Sequence, residues 1–143
     1  MPKLKIYDRI YMIGSGAIGL SDPADCHVYL IDGGGELALI DAGGKNIEPI
    51  LHNIQECGFR LDQVRYIFLT HSHMDHAAGC MALKNALVAA GAKVTVATSA
   101  LEADILIHGT SEELGLDLLG HAGKDRNEVF PPFEVDLDRK SVV

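Results

Sequence analysis

Six consecutive residues, His71-Ser72-His73-Met74-Asp75-His76, gather three imidazoles and one carboxylate. In an extended backbone, residues two apart project to the same side, so His71 and His73 can converge on one cation. A turn into a following helix would bring Asp75 and His76 round to a second position beside the first. Imidazole nitrogens with a carboxylate suit zinc best, and also iron or manganese, whereas the lack of thiolate argues against a sulfur-rich structural site. Packing several imidazoles and a carboxylate around the end of a core strand is costly unless something shared, usually a metal, satisfies them.

The elements flanking the cluster are those such a site needs. Val64 to Thr70, rich in β-branched and aromatic residues and nearly continuous in apolar character, predicts a central strand covered on both faces. Ala77 to Ala90 predicts a helix closed by Gly91. Upstream, alternation from Leu4 to Ile13 predicts one strand, and the runs His27 to Asp32 and Glu36 to Asp41, joined by Gly33-Gly34-Gly35, predict a β-hairpin. Ile47, Ile50, Leu51 and Ile54 recur at helical spacing before Gly58, with Asn46 as the expected N-cap. Downstream, Lys93 to Ala97 predicts a short strand, and Ser99-x-x-Glu102 has the form of a capping box opening a helix to about Ile107. Beyond His108 the pattern weakens, to a faint helix between Ser111 and Leu119 and a last strand from Phe133 to Leu137.

The chain of 143 residues carries 12 Lys+Arg against 20 Asp+Glu, a formal charge of −8, and is 48% hydrophobic with a mean hydropathy of +0.14. This composition supports a real core and excludes disordered, collagen-like and coiled-coil classes. No apolar stretch approaches the roughly 18 residues of a spanning helix, so no membrane partner is expected and the protein reads as cytoplasmic. The acidic balance, with Lys3 and Lys5 as isolated solvated charges, argues against a nucleic-acid partner. Cys26, Cys57 and Cys80 form no C-x-x-C pair and read as free thiols of a reducing compartment.

Gly14-x-Gly16-x-x-Gly19 follows a predicted strand, as a dinucleotide-binding fingerprint should. That chemistry requires a helix to begin at the third glycine, so that its N-terminus holds the pyrophosphate. Leu20-Ser21-Asp22-Pro23 offers no helical repeat, which disfavours a nucleotide-binding oxidoreductase.

Thr70-His71-Ser72-His73-Met74-Asp75-His76 resembles the metal-binding signature of the metallo-β-lactamase superfamily, shared by hydroxyacylglutathione hydrolases and lactonases. Residues 29 to 43, ending in Asp41-Ala42-Gly43, are similar to that family's early hairpin. The resemblance runs from about residue 6 to about 107, with looser similarity in Pro131 to Leu137. It implies an α/β (α+β) fold, the N-terminal half of an αββα sandwich, with a mixed sheet and helices on one face. The domain, 1–143, is expected to be single and incomplete. It further implies that His71 and His73 ligate one metal and Asp75 and His76 a second. Asp75 doubles as the catalytic carboxylate, and Asp41 sits at the floor of the site, orienting a ligand histidine or the ligand loop. Thr70 reads equally as an orienting hydroxyl and as an ordinary strand residue.

The implied activity is metal-assisted hydrolysis of an ester, thioester, lactone or lactam in a small-molecule substrate, with zinc as the expected cofactor at two divalent sites. The family's further ligands, in a P-G-H-T segment and beyond, have no counterpart before Ser141-Val142-Val143. Truncation of a hydrolase is therefore the leading expectation, with the missing C-terminal half as its partner. The alternative is a non-catalytic half-fold that binds metal or a partner and closes a sandwich as a homodimer. His27, His52, His108 and His121 lack matching context; His27 and His52 read as structural, and His108 or His121 is the minor alternative for the absent ligand.

Overall fold

The computed structural model describes residues 4–139. Lys3 and Ser141-Val142-Val143 lie outside the described residues. Seven strands, β1 (Lys5–Tyr7), β2 (Ile10–Gly14), β3 (Val28–Asp32), β4 (Leu37–Ile40), β5 (Val64–Phe68), β6 (Thr95–Ser99) and β7 (Leu137–Arg139), form one sheet in which spatial order equals chain order. β1 to β4 pair antiparallel, and β4 to β7 pair parallel. The change of mode follows from the connections. Short turns such as Gly33-Gly34-Gly35, with φ of 86° and 127° at the last two, can only reverse the chain. The parallel pairs are instead joined by helical crossovers: α1 (Glu48–Glu56), then α2 (Met74–Ala77) and α3 (Cys80–Ala89), then α4 (Ala100–His108) and α5 (Arg126–Val129).

All three crossovers step in the same direction along the sheet, and their right-handed sense places the helices on one face. On that face Val28, Leu30, Leu37, Leu39, Ile67 and Val96 are buried in a single core with Ile50 and Ile54 of α1, Leu83 and Leu87 of α3 and Leu106 of α4. The mixed sheet with helices on one face agrees with the sequence. Among the described residues, the opposite face does not carry the cover expected for a central strand. Tyr29 faces Ile40 across β3 and β4, Ile40 neighbours Phe68, and the Tyr66 and Phe68 rings stack at 5.3 Å. Ile31 remains 38% and Phe68 39% exposed. The continuous apolar character of β5 thus marks two apolar faces, of which the described residues cover one.

Several boundaries differ from the sequence reading. The first strand is a hairpin, because Arg9 adopts φ 60° between β1 and β2 and its carbonyl accepts from Asp32 N–H at 2.9 Å. The N-cap of α1 is Ile47, without a side-chain cap; Asn46 Oδ1 instead accepts from Glu48 N–H at 3.4 Å. The third strand of the parallel set begins at Thr95, and the last one begins at Leu137. Residues 111–120 form turns, not the faint helix expected there. No helix follows Gly19, so the fingerprint lacks the helix it needs; a Cβ at Gly16 would run into the Pro23 carbonyl, which explains that glycine by close backbone packing.

Asp136 pins β7 in place. Its carboxylate accepts from Val96 N–H at 2.8 Å and from Lys84 Nζ at 2.8 and 3.0 Å, and its own N–H donates to the Val96 carbonyl at 3.0 Å. Burial pushes this carboxyl up, but the Lys84 ammonium and the Val96 N–H outweigh it and hold the pKa below its ordinary 3.8. A carboxyl depressed by folding contributes stability above its unfolded pKa and loses it as pH falls through the folded one. Chemical denaturation at stepped pH should therefore show Asp136→Asn less stable than wild type at pH 7, with the gap closing below about pH 4. A gap that stays constant to pH 2 would contradict this role.

Candidate metal centre

The loop between β5 and α2 carries the histidine cluster, and three distant segments fix its backbone. Cys26 N–H donates to the Asp75 carbonyl at 3.2 Å, Ala42 N–H to the His76 carbonyl at 2.8 Å, and Met74 N–H donates to the Leu114 carbonyl at 2.8 Å. His73 stands at the N-cap of α2 with φ −57° and ψ 144°, so the chain is extended up to His73 and helical after it. The continuous helix expected over residues 77–90 is broken at Ala78-Gly79. Gly79 N–H donates to the Gly43 carbonyl at 3.2 Å, and a Cβ there would collide with the Gly44 carbonyl oxygen. The break lets α2 and the Asp41-Ala42-Gly43 turn approach backbone to backbone.

His71, His73, Asp75 and His76 are all half-buried and close together. The His71 ring lies 4.0 Å from that of His76 and 4.8 Å from that of His73, centroid to centroid, and Asp75 Oδ2 is 3.6 Å from His76 Nε2. The sequence-predicted residues are thus assembled in one place.

Beneath them lies Asp41, 3% exposed and with φ 67°, a left-handed conformation that aspartate tolerates better than most residues. His76 Nδ1 is 2.8 Å from Asp41 Oδ2, and Thr70 N–H donates to Asp41 Oδ1 at 2.8 Å. The Thr70 hydroxyl lies 3.0 and 2.8 Å from the two carboxylate oxygens and 3.0 Å from His71 Nδ1. That hydroxyl has one proton, which the carboxylate takes, so it accepts from His71 Nδ1–H. His76 Nδ1–H likewise points at Asp41. Both rings are thereby set in the tautomer that leaves Nε2 bare, which is the form a metal requires.

Burial works against a charged ring at His76, but the Asp41 hydrogen bond and the Asp41 and Asp75 charges outweigh it and raise the pKa above 6.5. His71 moves the other way, lowered by burial and by the His76 and His73 charges.

Cys26, Asp41 and His76 also place ligand atoms within 4.8 Å of one another. Burial, with the Asp41 and Asp75 charges, pushes the Cys26 thiol strongly up, and its Sγ donates to the His27 carbonyl at 3.4 Å. With Asp41 and His76 already bonded to each other, the trio reads as packing under the site. Asp25 supports the same floor: Oδ1 accepts from Gly44 N–H at 2.6 Å, Oδ2 has no hydrogen-bond partner among the described residues, and burial raises its carboxyl pKa above 3.8.

Sequence reasoning left Thr70 undecided and missed Cys26, Asp25 and Gly115, whose α-carbon abuts the His73 ring so that a Cβ would lie 3.2 Å from His73 Cγ. Of the remaining histidines, His27 bonds Ser15 Oγ at 2.8 Å, His52 lies 3.5 Å from Glu56, and His108 lies 3.1 Å from Asp104. His121 lines a cleft of about 510 Å³ together with Asp75, Lys45, Asn46, Met74 and Leu119.

This fold and this loop define a family. The family model described as the metallo-beta-lactamase superfamily matches residues 21–142, and the chain belongs to that superfamily. Among solved structures, a Cronobacter sakazakii metallo-beta-lactamase described by a HARLDQ motif superposes with a TM-score of 0.67 at 29% identity, over 94% of this chain and 46% of that one. FEZ-1 from Legionella gormanii gives 0.68 at 20% identity over 93% and 44%, and the subclass B3 enzyme BJP-1 of Bradyrhizobium japonicum gives 0.66 at 23% over 96% and 44%. The chain spans less than half the length of these structures. No curated protein sequence matches it. Set beside H-A-R-L-D-Q, the segment here, H-S-H-M-D-H, shares the first histidine and the aspartate and has histidines in the third and sixth places.

In metal-free protein followed by NMR, His76 should titrate above 6.5 and His71 below it. Asp41→Asn should bring His76 down, since the carboxylate that favours its charged form is gone. An unchanged His76 titration in the variant would refute the assigned hydrogen bond.

Proposed function

We propose that this chain is the N-terminal, metal-binding half of a metal-dependent hydrolase acting on ester, thioester, lactone or lactam carbonyls of small molecules. The observation that carries the reading is the pair of Nδ1 contacts, His76 to Asp41 at 2.8 Å and His71 to Thr70 at 3.0 Å, which leave the Nε2 side of each ring for a metal. The donor set of imidazole nitrogens and carboxylate fits zinc, with iron or manganese as substitutes. His71 and His73 would hold one ion, and Asp75 and His76 a second. A bound pair of divalent cations supplies a water of lowered pKa and polarises the carbonyl under attack.

The chain's own residues do the positioning. Asp41 and Thr70 fix the His71 and His76 rings, and Gly115 leaves room for His73 against the 111–116 turn. Asp75 opens onto the cleft and would orient the attacking water and hold its proton. That cleft, walled by Met74, Leu119, Pro23 and Ala24, is of a size to admit part of a small acyl substrate. The acidic balance offers nothing to nucleic acid, and no helix among the described residues is long and apolar enough to cross a membrane. The free thiols favour a cytoplasmic setting.

A second reading has its own support in the open sheet face with Ile31 and Phe68: a non-catalytic half-fold that binds metal and closes against a second copy. Zinc binding by the full chain, measured by competition with a chromogenic chelator, tests both. His71→Ala and His73→Ala should each weaken zinc by more than about tenfold, a loss that changes in groups merely supporting a ligand already reach. Binding that survives both variants would overturn the metal site. In the same samples, sedimentation showing a monomer supports the hydrolase half, and a metal-loaded dimer supports the second reading.

A further inference from the structure

We propose that Glu102 is a positioning residue for His71 and His73, acting through Ser72; the inference rests on the metal site proposed above. Ser72 sits between the two histidines and is 2% exposed. Its hydroxyl donates to Glu102 Oε2 at 3.1 Å. A buried hydroxyl without a partner is costly, so the direction of this side chain, and with it the backbone between His71 and His73, is tied to where Glu102 stands.

Glu102 stands firmly. It belongs to the first turn of α4, where its N–H donates to Ser99 Oγ at 3.2 Å. Strand β6, which leads into α4, is fastened to the ligand loop: Thr98 Oγ1 donates to the Leu69 carbonyl at 3.0 Å, and Leu69 N–H donates to the Ala97 carbonyl at 2.9 Å. The Ser-x-x-Glu spacing predicts that the glutamate carboxylate turns back to the Ser99 N–H. Here only the serine half of that box forms. Among the described residues, the hydrogen bond on the Glu102 carboxylate comes from Ser72, so the side chain that would close the cap reaches across to the metal loop instead. The helix N-terminus favours its negative charge, and that charge in turn favours a cation at the neighbouring histidines.

The full chain, titrated with zinc against a chromogenic chelator and with Co(II) followed by its visible absorption, tests this. Ser72→Ala and Glu102→Ala should each weaken metal binding about tenfold and alter the Co(II) bands, while Glu102→Gln, whose amide oxygen still accepts from Ser72, should stay within about threefold of wild type. The double variant Ser72→Ala/Glu102→Ala should fall no further than the weaker single variant, because both remove one interaction. Wild-type affinity and spectrum in Glu102→Ala, with His73→Ala losing metal, would overturn the positioning role and leave the site standing. Additive losses in the double variant would also overturn it. Metal binding unaffected by His73→Ala would sink the site and this inference together.

Discussion

The buried Asp41 carboxylate is the constraint on which the candidate centre depends. It takes a main-chain N–H and a hydroxyl from Thr70 and a ring nitrogen from His76, so one charge is satisfied by three donors from the far side of a strand crossing. Removing a charge of this kind from water is tolerable only with such a complement. The consequence runs outward. Because Asp41 must meet Thr70, β4 and β5 must be adjacent and parallel, and because it must meet His76, α2 must fold back over the end of β4. Gly43 and Gly79 make that approach possible: a Cβ at the first would stand 2.7 Å from the Asp25 carboxylate, and one at the second would strike the Gly44 carbonyl.

The order of elements that positions this carboxylate is general to parallel sheets. Asp41 follows β4, the histidine loop follows β5, and Ser99 with Glu102 follows β6. Three consecutive parallel strands thus deliver their next residues to one edge, the carboxyl edge at which open α/β sheets place their ligands. The antiparallel strands β1 to β3 extend the sheet, and the segment leading into β3 contributes Cys26 and Asp25 under the site and Pro23 and Ala24 to the wall of the cleft.

Much of this was legible in the residues. The hairpin around Gly33-Gly34-Gly35, strand β5, the helix opened by Ser99 and the grouping of His71, His73, Asp75 and His76 follow from period, turn chemistry and ligand type. What stayed hidden depended on partners remote in sequence. Asn46 has the chemistry of an N-cap, yet Ile47 caps α1, and Asn46 sits one residue further out with its Oδ1 accepting from Glu48 N–H. The helix over 77–90 is broken by a neighbour more than thirty positions upstream, which no local pattern records. Thr70 could not be told from an ordinary strand residue, because its role exists only once Asp41 is beneath it. Ser99-x-x-Glu102 was read as a cap for its own helix, and half of that reading is displaced by Ser72.

The apolar pattern of β5 carried a second meaning that spacing alone does not separate. A strand with helices on both faces and a strand with helices on one face and an apolar surface on the other have the same composition. In this sheet the second holds: Tyr29, Ile40, Tyr66 and Phe68 continue one another across β3, β4 and β5 on the side away from the helices. Apolar side chains left facing water in this way are unfavourable, and here they adjoin one another across three strands. They also border the carboxyl edge, since Phe68 is the last residue of β5, immediately before the ligand loop. The apolar face and the histidine loop therefore meet at the end of a single strand, β5, with Phe68 on the one and Thr70-His71 on the other.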